Sequence, residues 1–94
     1  MDSTTEKAVV TVIGIDTKGI IARVSGALYR DGINILDISQ TVISGYFNMI
    51  MLVDITDMQR PFDEVRLDLD ALGDRLGLQI RIQKSQIFEA MHEV

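Results

Sequence analysis

The fold is decided by one stretch near the N-terminus, Val9-Val-Thr-Val-Ile-Gly-Ile-Asp-Thr-Lys-Gly-Ile20. Its first half is almost continuously apolar and β-branched, which predicts a strand over Lys7 to Gly14 that is buried on both faces. Its second half, from Gly14 to Ile20, is a glycine-containing turn that leads into a helix. The stretch therefore joins a central strand to a helix, and the remaining pattern can be placed around it.

Two segments carry apolar residues at the spacing of an amphipathic helix. The first is predicted over about Thr17 to Arg30, with Asp16 placed to cap its free N–H groups. The second begins near Pro61 and stops at Gly77, a residue type that often ends a helix. The apolar stripes are Ile20, Val24, Ala27 and Leu28 in the first helix and Phe62, Val65, Leu69, Leu72 and Leu76 in the second.

Three further strands are predicted from alternation between apolar and polar residues. Ile33 to Ser44 is mixed enough for an edge strand, and simple alternation puts Asn34 and Gln40 on the same face. Tyr46 to Ile55 is the second arm of a hairpin and is apolar on both faces. Leu78 to Lys84 alternates Leu and Ile with Gln and Arg, which indicates a strand with one solvated face.

The predicted order is strand, helix, strand, strand, helix, strand. Right-handed crossovers then give an α+β, ferredoxin-like βαββαβ sandwich, with a four-stranded antiparallel sheet of order 4-1-3-2 and two helices on one face. All 94 residues form a single domain. Residues 1–6 are predicted to be a flexible N-terminus, and residues 85–94 a C-terminal tail that forms a short helix.

One face of the predicted sheet lacks a cover, because both helices lie on the other face. Ile87, Phe88 and Met91 of the tail could cover it, and so could a second copy of the chain. Exposed apolar surface costs about 25 cal/mol per Å². A symmetric dimer is the commonest oligomeric solution, so the sequence predicts a homodimer.

Composition excludes several classes of function. Nine basic residues are scattered among fourteen acidic ones, giving a net charge of −5 that disfavours nucleic acid and anionic membranes as partners. The chain has no cysteine, so thiolate metal sites and cysteine nucleophiles are excluded. The polar N-terminal residues do not resemble a secretory signal, and a cytoplasmic location is expected.

The turn after the first strand is the main candidate for ligand binding. The Asp16 carboxylate has two interpretations, a helix cap or a contact to the ammonium group of a ligand. Gly19, expected about three residues into the helix, suggests either a close approach to the backbone or a simple requirement of the turn. Free N–H groups of the first helical turn suit a ligand carboxylate.

Asn34 also has two interpretations, because its amide suits a zwitterion and is equally ordinary at the entry to a strand. No catalytic set can be assembled: the single histidine, His92, lies three residues from the end, and no loop has the phosphate-binding pattern. The acidic residues of the second helix are interpreted as its solvated face and not as a metal site. The sequence therefore predicts a protein that is not an enzyme and has no cofactor.

Four segments in order resemble the ACT domain, and more narrowly the free-standing single-ACT proteins of the UPF0237 group. They are Val10-Thr-Val-Ile-Gly-Ile-Asp-Thr-Lys-Gly-Ile-Ile21, Asn34-Ile-Leu-Asp-Ile-Ser-Gln-Thr41, Gly45-Tyr-Phe-Asn-Met-Ile-Met51 and Ile87-Phe-Glu-Ala-Met-His92. The resemblance implies a dimer that holds an amino acid between the first turn of one subunit and the second strand of its neighbour. Asp16, Gly19 and Ile20 would supply the turn, and Asn34 and Ile35 the facing strand.

The expected function is thus a non-catalytic regulatory module, a sensor that binds an amino acid or a similar small ligand at a homodimer interface. No catalytic or DNA-binding domain is attached, so a partner protein or enzyme would have to provide the output. The alternative is a protein–protein interaction module that works through the same fold without a small-molecule ligand.

Overall fold

A computed structural model describes residues 5–85 of the chain. The elements are β1 (Lys7–Ile15), α1 (Ile20–Arg30), β2 (Asn34–Ile43), β3 (Tyr46–Asp54), α2 (Phe62–Leu76) and β4 (Leu78–Lys84). The strands form one antiparallel sheet of order β2-β3-β1-β4, which confirms the predicted ferredoxin-like topology.

The core lies between the two helices and one face of the sheet. On that face Val10 pairs with Met51 of β3 and with Ile82 of β4, and all three side chains are buried. Val24 of α1 and Val65 of α2 belong to the same cluster, because the apolar stripes of both helices point at the sheet. The alternation read from the sequence thus selects the buried face in β4.

The edge strand β2 departs from simple alternation. Its register against β3 shifts between Ile35 and Asp37, where a β-bulge inserts an extra residue. Asn34 therefore pairs with Asp54, whereas Gln40 pairs with Met49, whose side chain faces the helices. The prediction that Asn34 and Gln40 share a face is wrong, because the inserted residue reverses the alternation after it.

The second face of the sheet, called here the open face, carries exposed apolar side chains. Ile13, Ile15 and Ile50 lie on it and are 47%, 63% and 54% exposed. Val9 lies on the same face and is buried. The prediction that β1 is buried on both faces therefore holds at Val9 and is wrong at its C-terminal end.

Most of the two predicted terminal segments lies outside residues 5–85, including Ile87, Phe88 and Met91 of the tail. Within the described range, both backbone polar groups of Glu6 form hydrogen bonds. Its N–H donates to the Thr56 hydroxyl at 2.9 Å, and its carbonyl accepts from the Ile55 N–H at 2.8 Å. In residues 5–85 neither helix has the length and apolarity needed to span a membrane.

Candidate functional site

The turn between β1 and α1 is longer than the sequence suggested. The helix begins at Ile20 and not at Thr17, and Gly19 occupies the N-cap position with a left-handed φ of 82°. Asp16 is consequently too far from the helix to cap it. Its own N–H donates to the Gly45 carbonyl at 3.1 Å, which ties this turn to the β2–β3 hairpin. The capping interpretation of Asp16 is therefore wrong, and its side chain is exposed.

Gly19 lies before the helix and not inside it, so the prediction that Gly19 lies about three residues into the helix is wrong. A Cβ atom built at Gly19 would meet no atom within 4 Å. The residue is glycine because its backbone is left-handed, a conformation that other L-residues adopt only at a cost. Among residues 5–85, no protein atom makes the close approach that the sequence suggested.

The first turn of α1 lacks a side-chain cap. Gly19 offers no side chain to accept a hydrogen bond, and its carbonyl accepts only the regular helical bond from Arg23 N–H at 3.0 Å. The first N–H groups of any helix have no intrahelical acceptor. Ile20 is buried and anchors this turn to the core, so the helix start has a fixed position, and the exposed Asp16 lies four residues before it.

Asn34 and Ile35 lie at the other end of the sheet. Asn34 pairs with Asp54, and Asp54 pairs with Lys7 at the start of β1, whereas Asp16 follows the end of β1. The length of β1 separates the two ends, roughly 27 Å at the usual rise per residue. Asn34 is exposed, and Ile35 is half-buried against the core. One chain therefore does not bring the predicted ligand residues together.

A second feature of the structure was missed at the sequence level. Arg60 holds Asp31 with two hydrogen bonds, Nε to Oδ1 at 2.9 Å and Nη2 to Oδ2 at 3.0 Å, and it also contacts Asp68 at 2.6 Å. These bonds, to Asp31 first and Asp68 second, raise the pKa of Arg60 further above its usual range. The Asp31–Arg60 pair joins the end of α1 to the start of α2. Its signal in the sequence was a charged residue just outside each of two predicted helix ends.

The described residues offer little catalytic chemistry. No group of three or more His, Cys, Asp or Glu within residues 5–85 is arranged to hold a metal ion. A shallow depression of about 480 Å³ adjoins Ile15 and Tyr46 near the first turn, but Asp16, Gly19 and Ile20 do not line it. What the turn does provide is a set of uncapped helix-start amides and one exposed carboxylate, groups that suit a polar ligand.

The fold is that of a small α+β domain, and comparison with known proteins identifies the family. The model of the ACT domain matches residues 6–83. The chain belongs to the ACT domain family, whose members are regulatory modules that bind small ligands. Within it, the chain is similar to a UPF0237 protein of Bifidobacterium longum (strain NCC 2705). The two are 49% identical over 88 residues, which cover 94% of this chain and 98% of the relative.

Solved structures support the same assignment. An ACT domain protein from Streptococcus pneumoniae superposes with a TM-score of 0.79 at 44% identity, over 89% of this chain and 94% of the other. A formyltetrahydrofolate deformylase from Pseudomonas syringae pv. tomato gives a TM-score of 0.78 at 22% identity, a likeness of fold alone. That match covers 85% of this chain and 28% of the enzyme. The same fold thus occurs by itself and as one part of a larger protein.

Proposed function

We propose that the protein is a non-catalytic sensor that binds an amino acid at the interface of a homodimer. The observation that carries the proposal is the uncapped start of α1, which lies in the same turn as the exposed Asp16 carboxylate. An amino acid has complementary groups, because its carboxylate suits the amides and its ammonium group suits Asp16. Membership of a family of small-ligand-binding regulatory domains supports the same conclusion.

The separation of Asp16 from Asn34 supports a site that is shared between two copies. β2 is an edge strand, and its outer backbone groups have no partner strand in the described sheet. If two β2 strands pair antiparallel about a two-fold axis, the Asn34 end of one lies beside the Ile43 end of the other. Gly45, whose carbonyl accepts the Asp16 N–H, lies two residues after Ile43. Asn34 and Ile35 of one copy would then approach the first turn of its neighbour.

Exposed side chains on β2 support the same pairing. Ile38 and Val42 lie on the helix side of the sheet opposite the buried residues Met51 and Phe47, yet they are 41% and 54% exposed. The helices of the same chain cover β1, β3 and β4 better than they cover β2. A second copy beside β2 would bring its own helices over this surface and remove it from water.

A melting-temperature screen of the twenty amino acids tests the proposal. A ligand present at one hundred times its dissociation constant stabilises the fold by about 2.7 kcal/mol, which is readily measured. Asn34→Ala should remove the shift while leaving the unliganded protein nearly as stable, because Asn34 is exposed. Gln83→Ala, an exposed polar residue of the opposite edge strand, is the matched control and should retain the shift. The absence of a shift with all twenty would count against the sensor.

The open face favours a second candidate function, a protein-interaction module that has no small-molecule ligand. Ile13, Ile15 and Ile50 form a contiguous set of exposed apolar residues on two neighbouring strands. Such a surface suits a protein partner. A partner recovered equally well with and without amino acids, and lost on Ile50→Lys, would favour this function over the sensor.

A further inference from the structure

The two helices leave a cleft between them on the side of the molecule away from the sheet. Its volume is about 310 Å³, and its lining includes Leu69 and Leu72 of α2. Ala27 of α1 and Ala71 of α2 also line the cleft. Two alanines at these positions leave space that larger apolar side chains would fill. The cleft therefore exists because these positions of the two helices carry small side chains.

The side chains that line the cleft carry a net positive charge, although the protein as a whole is acidic. Its lining contains three of the six arginines of the chain, together with two aspartates, which leaves one net positive charge where the whole chain has −5. Asp31 and Asp68 are both bonded to Arg60. Arg30 and Arg75 form no ion pair with any residue of the described range. Two guanidinium groups at the cleft therefore remain without an acidic partner there.

Arg30 and Arg75 come from different helices and reach the same cleft. Each lies in the last turn of its helix, where a cation is favourable to the helix dipole. That preference explains the residue type but not why both side chains line one cleft. Arg30 folds back along α1, so that its Nη1 lies 3.7 Å from the position a Cβ of Gly26 would take.

We propose that this cleft between α1 and α2 binds a small organic anion through a carboxylate or phosphate group. Arg30 and Arg75 would hold the oxygen atoms, since the guanidinium fork matches both groups in geometry. Leu69 and Leu72 would contact the carbon skeleton. A volume near 300 Å³ is at the lower end of that usual for small-molecule pockets. Asp16, Gly19 and Asn34 do not line this cleft, so the site is independent of the proposed amino-acid site.

Titration of the ¹⁵N-labelled full chain with succinate, and separately with inorganic phosphate, tests the proposal. The amide signals of Ala27, Ala71 and Leu72 should shift with at least one probe, and the responding probe identifies the group that is recognised. Arg30→Gln and Arg75→Gln should each weaken binding by about tenfold or more, the usual size of a hydrogen bond to a charged group. The control is Arg23→Gln, an exposed arginine of α1 that does not line the cleft and should leave the affinity unchanged.

A steric variant provides an independent check. Ala71→Leu fills the cleft from an exposed helix position and should abolish binding, whereas Ala22→Leu, an exposed α1 position that does not line the cleft, should not. The proposal is overturned if neither probe shifts the cleft signals, or if Arg23→Gln weakens binding as much as Arg30→Gln does. It is also overturned if Asn34→Ala abolishes binding of the anion, because the probe would then occupy the amino-acid site. Loss of the amino-acid response alone would leave the cleft proposal intact.

Discussion

At the scale of single residues, the glycines of this chain differ in the physical reason that favours glycine. Gly26 and Gly73 both lie inside helices. A Cβ at Gly26 would meet only the flexible end of Arg30, at 3.7 Å, whereas a Cβ at Gly73 would lie 2.6 Å from the backbone carbonyl oxygen of Leu78. A side chain is therefore tolerated at Gly26, and Gly73 is the glycine that packing requires.

Alanine substitutions at these two helical glycines should have opposite effects. Gly26→Ala should raise the free energy of unfolding by up to about 1 kcal/mol, the difference in helix propensity. Gly73→Ala gains the same propensity but overpacks α2 against β4, so it should lower the free energy of unfolding by about 1–3 kcal/mol. Urea unfolding of both variants measures the difference. Effects of the same sign at the two positions would contradict the packing described here.

Substitutions at Gly19 measure the contribution of backbone conformation alone to the free energy of unfolding. Because nothing lies within 4 Å of its Cβ position and its φ is 82°, the whole cost of Gly19→Ala should come from the left-handed backbone. That cost is about 1–2 kcal/mol. Gly19→Asn should cost less, since Asn visits this region more readily. Urea unfolding provides the measurement, and equal costs for the two substitutions would indicate that something other than the backbone holds Gly19.

At the scale of elements, the sequence predicted every helix and strand of the described range but placed some details wrongly, and two of them concern the start of α1 and the register of β2. Asp16 is an ordinary N-cap residue type, and the pattern alone could not show that Gly19 takes a left-handed conformation and delays the helix to Ile20. The β2 bulge was equally hidden, because alternation is the only strand signal and a bulge breaks it without changing composition.

The separation of the two halves of the site could have been deduced from the predicted topology. β1 and β2 both run antiparallel to β3, so they are parallel to each other. The start of β2, with Asn34, must then lie at the start of β1, while Asp16 follows its end. Side-chain positions within the inter-helix cleft could not be predicted in this way, because they depend on how closely the two helices pack.

The Asp31–Arg60 pair is the main polar link between the two helices. Its bidentate geometry and the limited exposure of Asp31, at 16%, suggest that it contributes more than a surface pair. A double-mutant cycle with Asp31→Asn and Arg60→Gln should give a favourable coupling free energy. The control cycle is Asp63 with Arg66, a single 3.6 Å contact between more exposed side chains, which should give a smaller one. Equal coupling in both cycles would show that the bidentate pair has no special role.

The pH dependence of this link follows from the arginine. A raised pKa means that Arg60 contributes stability at every pH below its unfolded value and loses it only as the pH rises through the still higher folded value. Both lie above the neutral range. The arginine side of the coupling should therefore be constant between about pH 6 and 9, within the range where guanidinium is fully charged. Coupling measured at both ends of that range checks this, and a change attributable to Arg60 would contradict it.

At the scale of the whole molecule, two apolar surfaces are candidates for the interface of the proposed dimer. One is the open face with Ile13, Ile15 and Ile50, and the other is the uncovered helix side of β2 with Ile38 and Val42. The first gives a face-to-face dimer and the second an edge-to-edge dimer. Antiparallel pairing of two β2 strands brings Asn34 of one copy to the end of the sheet that carries Asp16 of the other. The shared amino-acid site proposed above therefore uses the β2 surface.

Single lysine substitutions separate the two arrangements. Val42→Lys places a charge on the β2 surface and should give a monomer by light scattering, whereas Ile50→Lys on the open face should leave a dimer. Leu67→Lys, at an α2 position that is 58% exposed, controls for the added charge and should leave the protein a dimer. Because the proposed site needs both copies, Val42→Lys should also remove the melting shift with the amino acid, while Ile50→Lys retains it. A monomer produced by Ile50→Lys and not by Val42→Lys would place the interface on the open face and contradict the β2 pairing on which the proposed site depends.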